Sequence, residues 1–195
     1  MAPDDPSTAL PDRPPRERIL LTAHDLFYRD GIRATGIDRV IAESGVSKVT
    51  FYRHFPSKNQ LIIAFLEYRH ERWMAWFNGA LQRHGAARGK GLGALVPTLR
   101  EWFGSEGYRG CAFINSVGEL GATLPEVVAI SRRHKRDMTD AIATLLPASR
   151  QREPDAQAVA LLVDGAIVRA QCEEAPEAVL KTLARLLKPL MAAAA

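Results

Sequence analysis

Between Arg16 and Pro56 the chain is cut into three short helical periods, and this punctuation limits what it can fold into more than any other feature. Ile19, Leu20, Ala23, Leu26 and Phe27 recur three and four residues apart, and Gly31 ends the run as a C-terminal cap would. Ile37, Val40 and Ile41 form a second, shorter stripe, with Thr35 as a candidate cap and Asp38 in the first turn, closed by Ser44-Gly45. Gly45-Val46-Ser47 reads as a tight turn. Ser47 can cap a third helix from Lys48 to His54, and Pro56 stops it. These lengths suit a three-helix head.

Ser57 to Gln60 is an S-x-x-Q capping box opening a long fourth helix, which carries Leu61, Ile62, Phe65, Tyr68, Trp73, Trp76 and Phe77 before stopping near Gly85. Gly85 to Gly93 reads as a loop, Leu92 to Phe103 as a fifth helix containing Pro97, and Cys111 to Leu120 as a short apolar sixth. Thr123-Leu124-Pro125-Glu126 forms a further capping box, for a helix running to about Leu146. The last two helices start at Pro154 and Pro176. No strand pattern or internal repeat is present, so the expected class is all-α with about nine helices. Residues 1–15, with five prolines and little apolar content, read as a disordered arm, 16–60 as the head and 61–195 as a helical body.

Composition narrows the function classes. Cys111 and Cys172 are too few for a disulfide framework and stand in no metal-ligand spacing, which fits a reducing cytoplasm. Neither an export signal nor a membrane-spanning run is found. Residues 13–60 hold nine Lys/Arg against five Asp/Glu, so this quarter of the chain accounts for a net +4. That basic concentration fits a polyanionic partner. No nucleophile–base order or phosphate loop emerges, and His24, His54, His70, His84 and His134 share no ligand spacing, so the expectation is neither enzyme, metal nor cofactor.

The block Thr35-x-Ile37, Gly45-Val46-Ser47-Lys48, Phe51-Tyr52-x-x-Phe55 and Ser57-Lys58 resembles the TetR family of transcriptional regulators over about residues 16–66. The resemblance implies a helix-turn-helix head, joined by the long fourth helix to a ligand-binding and dimerisation body. The physics of the segment agrees: a support helix, a turn containing Gly45 and a helix able to enter the major groove. That third helix displays Lys48, Thr50, Arg53 and His54, which can hydrogen-bond, and Lys48 and Thr50 lie at the end where base edges are read. Ser47 joins this set, chiefly as a cap. The resemblance places Tyr52, His54, Lys58 and Thr35 against DNA phosphates. Phe55 reads as core.

In the body the resemblance implies a small-molecule cavity, for which Trp73, Phe77, Trp102, Phe113, Asn115 and His134 are the candidates; most such aromatics, at helical spacing, also suit plain packing. A basic run, Arg132 to Arg136, argues that His134 is exposed instead. Cys111 reads as a buried thiol, with redox sensing as the alternative. The last two helices carry more apolar surface than one face needs. Val159, Leu162, Val163, Ala166, Ile167, Val179, Leu183, Leu186 and Leu187 are accordingly expected in a four-helix homodimer interface, the arrangement the family uses. The resulting expectation is a ligand-responsive repressor on a near-palindromic operator in double-stranded DNA, an activator or a ligand-independent regulator being the alternatives.

Overall fold

A computed structural model describes residues 10–86, 89–173 and 175–192, and every α or 3-10 element among them is helical. The α-helices are α1 Pro15–Asp30, α2 Ile37–Ser44, α3 Lys48–His54, α4 Lys58–Arg83, α5 Leu95–Phe103, α6 Ala112–Leu120, α7 Pro125–Ala143, α8 Arg152–Gln171 and α9 Glu177–Ala192. Single 3-10 turns occupy Leu10–Asp12 and Gly91–Ala94. They form two compact units that do not follow chain order. One takes the described residues up to Arg72 together with Ala112–Ser131; the other takes Trp73–Cys111 and the described residues from Arg132 onward. Thus α4 and α7 contribute to both, and α6 packs with the N-terminal unit.

In the first unit the expected punctuation is realised. Pro15 opens α1, where its missing N–H is of no consequence, and Gly31 ends it at φ +91°, with its N–H donating to the Phe27 carbonyl at 3.1 Å. Gly45 closes α2 in the left-handed region at φ 64°, a conformation that turns the chain at once into α3. Ser47 caps α3 by accepting the Thr50 N–H at 3.1 Å. Ile19, Leu26, Phe27, Val40, Phe51, Phe55, Leu61 and Phe65 are buried, and the Phe27 and Phe65 rings meet edge to face at 5.5 Å.

Arg69, 2% exposed, ties α4 to α1. Its guanidinium lies 3.7 Å from the Tyr28 ring centroid and donates to Nε2 of His24 at 3.1 Å. An arginine can only donate, so His24 Nε2 accepts, and Nδ1–H donates to Asp25 at 2.8 Å.

Three expectations are corrected here. The disordered-arm expectation lies outside the described residues for 1–9 and does not hold from Leu10 on, where Leu10–Asp12 is a 3-10 turn and Arg13 pairs with Glu17 at 2.6 Å. The Thr123 capping box does not form. Its hydroxyl donates backward to the Leu120 carbonyl at 3.2 Å, and Pro125, which has no N–H, opens α7. The apolar residues of α8 and α9, finally, are divided between two faces. Val159, Val163, Ile167, Leu183 and Leu187 are buried within the protomer and are core, because α8 and α9 pack on each other and α9 on α5.

In this second unit Arg100 of α5 clasps Glu177 of α9 through two bonds of 2.9 and 3.1 Å, and Lys135 of α7 pairs with Asp164 of α8 at 2.5 Å. Pro97 is tolerated because it stands in the first turn of α5, where an N–H would have no intrahelical acceptor and its loss breaks no helical hydrogen bond. We predict that Ile167→Ala lowers conformational stability by about 2 to 5 kcal/mol through the cavity it leaves. Denaturant unfolding checks this, and a midpoint equal to that of the native chain would mean that Ile167 is not core.

Candidate nucleic-acid interface

The outer surface of α3 is built by its own short length. Seven residues give barely two turns, so Phe51 and the following Phe55 anchor the helix inward while the rest face out. Lys48, Val49, Tyr52 and Arg53 are exposed, and Thr50 and His54 half-buried. Val49, which stands with Lys48 and Thr50 at the N-terminal end of α3 where base edges are read, is 71% exposed despite its apolar side chain. Tyr52 lies with its ring edge on Phe51 at 5.2 Å, holding a 41% exposed side chain in a fixed direction. The Ser47 and Thr50 hydroxyls are 2.9 Å apart at the N-terminus of α3. Lys48 reaches Asp38 of α2 only at 3.6 Å, an exposed pair that costs little to part.

Two expected phosphate contacts are engaged elsewhere. Thr35 is fully buried, and its hydroxyl donates to the Gly31 carbonyl at 2.8 Å, so it neither caps α2, whose N-cap is Gly36, nor reaches a phosphate. Lys58 is half-buried, with Nζ donating to the Ile32 carbonyl at 2.6 Å. Burial pushes its pKa down, and the Glu119 carboxylate pulls it partly back.

Around α2 the charges form a chain. Asp30, at the end of α1, accepts from Arg29 at 2.8 and 2.9 Å and from Arg39 of α2 at 2.8 Å, while Arg39 also donates to Glu43 at 2.7 Å. The hydrogen bond from Arg29, opposed by desolvation and reinforced by both positive charges, holds the Asp30 carboxyl at about 2.

Of the expected ligand-site residues, Trp73, Phe77, Trp102 and His134 come together in the second unit. Trp73 stacks on Phe77 at 4.6 Å and 18°, meets Trp102 edge to face at 5.4 Å and His134 at 4.9 Å. His134 is buried, since the basic run around it occupies the other faces of α7. Trp76, Phe103 and Tyr108 extend the cluster, and the Tyr108 hydroxyl donates to the Ile167 carbonyl at 2.7 Å. The Trp76 indole N–H donates to Glu101 at 3.1 Å. The Trp73 N–H is buried without a hydrogen-bond partner among the described residues. Phe113 and Asn115 belong to the first unit, where Phe113 packs edge-on against His70 at 6.5 Å and its carbonyl faces the Ser131 hydroxyl at 3.4 Å. Cys111 is buried. No described helix is long and apolar enough to cross a membrane, and no metal-binding group of side chains occurs among the described residues.

The pattern of the family described as "Bacterial regulatory proteins, tetR family" matches residues 19–65. Over 165 residues the chain is 31% identical to the HTH-type transcriptional activator FasR of Mycolicibacterium smegmatis, covering 80% of this chain and 73% of that protein. It is 43% identical over 53 residues to the uncharacterized HTH-type regulator YerO of Bacillus subtilis, a match spanning 27% of this chain and only 18% of YerO. Among solved structures, SCO4454, a TetR-family transcriptional regulator from Streptomyces coelicolor, superposes with a TM-score of 0.80 at 28% identity, over 92% of this chain and 89% of that one.

Because its folded pKa lies below the ordinary value of 3.8, Asp30 adds stability that is present above that value and is lost as pH falls through it toward 2. Carboxyl NMR titration should therefore place the Asp30 midpoint near 2 and return it toward the ordinary value in Arg29→Ala. A native midpoint near 3.8 would show the charge chain to be absent in solution.

Proposed function

This chain belongs to the TetR family of DNA-binding transcriptional regulators, and from that premise we propose that it is a ligand-responsive repressor released from a near-palindromic operator by a small apolar or aromatic effector. The observation that carries the DNA-binding half is the outward surface of the Ser47-capped α3. Lys48 and Thr50 have the donors and acceptors for base edges at its N-terminal end, Val49 offers an apolar face suited to a thymine methyl, and Tyr52, Arg53 and His54 supply phosphate contacts. Ser47 keeps the helix end in order. The effector half is supported by the buried aromatic cluster around Trp73, whose unpartnered N–H would hydrogen-bond an acceptor atom on a bound molecule. A second reading, activation, is favoured by one observation: FasR, a relative matched over 73% of its length, is an activator.

Dimerisation through the last two helices is supported by an apolar groove of about 440 Å³ along α8 and α9. Leu161, Leu162, Val179 and Leu186 line it above a floor of Ala166 and Leu183. Leu161, 74% exposed, joins these neighbours in one apolar patch of the kind that marks an interaction surface. A two-fold axis there would present two α3 helices to successive major grooves roughly 34 to 36 Å apart.

Binding-site selection from random DNA should return a near-palindromic motif for the native protein. Thr50→Ala should change base preference within each half-site, and Tyr52→Ala should weaken every sequence alike, as loss of a phosphate contact does. An unchanged motif for Thr50→Ala would remove it from base reading; addition of planar aromatic compounds to the complex shows whether such an effector releases it, and a transcription assay on the same operator distinguishes repression from activation. For the dimer, Leu161→Asp should leave folding intact but yield monomers by light scattering with greatly reduced operator affinity, because burying an unpaired charge is costly. Persistent dimers would place the interface elsewhere.

A further inference from the structure

The corner between α1 and α2 is grasped by side chains far away in sequence. Glu119, near the end of α6, accepts the Ile32 N–H through Oε1 at 3.2 Å and the Arg33 N–H through Oε2 at 2.8 Å. From α4, Lys58 donates to the Ile32 carbonyl at 2.6 Å. Both sides of the Ile32 peptide unit are therefore held by charged groups, and the two groups attract each other. Gly31 turns the chain at φ +91°, a conformation that favours glycine, and a Cβ there would touch the carboxylate only at ordinary contact distance, 3.6 Å from each oxygen.

None of these bonds is needed to form α1, α2 or α3. Gly31, Gly45 and Ser47 already end or begin those helices through local hydrogen bonds. What the distant bonds add is orientation. The segment from Gly31 to Gly36 carries α2, and α3 follows α2 after a turn of three residues, Gly45 to Ser47, so the pose of α3 follows the pose of the corner. Holding that corner to α6 and α4 restricts α3 before DNA arrives.

We propose that Glu119 and Lys58 are positioning residues that latch the α1–α2 corner to α6 and α4 and thereby set the pose of α3 for DNA, so that a displacement of α6 is read out as a change in operator affinity. The inference rests on the DNA-binding reading of α3. It assigns Lys58 an internal role and removes it from the phosphate contacts. It also gives α6, which carries Asn115 and Phe113, a direct connection to the head that does not pass along α4.

The test uses the full-length protein and an operator fragment from its own upstream region. Affinity is measured over a range of salt concentrations for the native chain, Glu119→Gln, Lys58→Met and the double variant, and amide exchange is followed at Ile32 and Arg33. A glutamine keeps the shape but cannot accept both N–H groups with charge. Each single variant should bind about tenfold more weakly, within the usual range of coupling between sites, and exchange faster at both amides. Their dependence of affinity on salt should keep the native slope, because no phosphate contact is lost. The double variant should be no weaker than the weaker single one. Failure of the native chain to bind would end the DNA reading itself. With native binding intact, the latch is overturned by faster exchange without loss of affinity, or by Lys58→Met lowering the salt slope by about one while Glu119→Gln binds normally. Loss of folding in Glu119→Gln would overturn it too, since the three helices are capped without it.

Discussion

The corner between α1 and α2 presents backbone donors and acceptors that no helix can pair, and the chain must satisfy them as it buries Ile32 and Thr35. Each of these groups is met by a particular side chain. Thr35 supplies a hydroxyl to the Gly31 carbonyl, Lys58 an ammonium to the Ile32 carbonyl, and Glu119 one oxygen to each of the Ile32 and Arg33 N–H groups. Leaving one such group unpaired would cost roughly 1 to 3 kcal/mol, a sizeable part of the stability of a small unit. The compact unit that holds the three helices also takes in α4 as far as Arg72 and all of α6.

The second unit satisfies a different requirement. Its centre is aromatic, and large rings bring polar edges that must be paired when buried. Tyr108 and Trp76 are satisfied by the Ile167 carbonyl and by Glu101, the latter also taking bonds from Arg83 and His84. Burial raises the Glu101 carboxyl, but those hydrogen bonds and the Arg83 charge outweigh it and hold its pKa below the ordinary range. Trp73 stands apart with an unanswered N–H among stacked rings.

How much of this could be read from the sequence depended on the range of the interaction. Gly31, Gly45, Ser47 and Pro56 act within a turn or two of themselves, so they showed where α1, α2 and α3 begin and end. Thr35 and Lys58 were visible as polar residues beside a helix, but a hydroxyl or ammonium facing a carbonyl has the same local surroundings in sequence as one facing a phosphate. Glu119 gave no signal, because an acidic residue on a helix ordinarily reads as solvated and its partners lie 86 and 87 residues away. On α8 the apolar positions run around the helix, and periodicity alone could not separate the buried Ile167 from the exposed Leu161. His134 was obscured by its basic neighbours, which face other directions on α7.

A seven-residue α3 has little stability of its own, since nucleating so short a helix is unfavourable in water. Its order is borrowed from the Ser47 cap and from Phe51 and Phe55 in the core of the head. A surface supported in this way is sensitive to its supports: loosening them does not merely shift α3 but lowers the fraction of molecules that present it correctly. Apparent affinity falls in proportion to that fraction, even if every DNA-contacting side chain is intact. A regulator with this construction needs no large rearrangement to change its occupancy of DNA. Where the correctly posed state is the minor one, a change of about 1.4 kcal/mol in the energy that holds the corner would change binding about tenfold, and a single charge-assisted hydrogen bond is of that size.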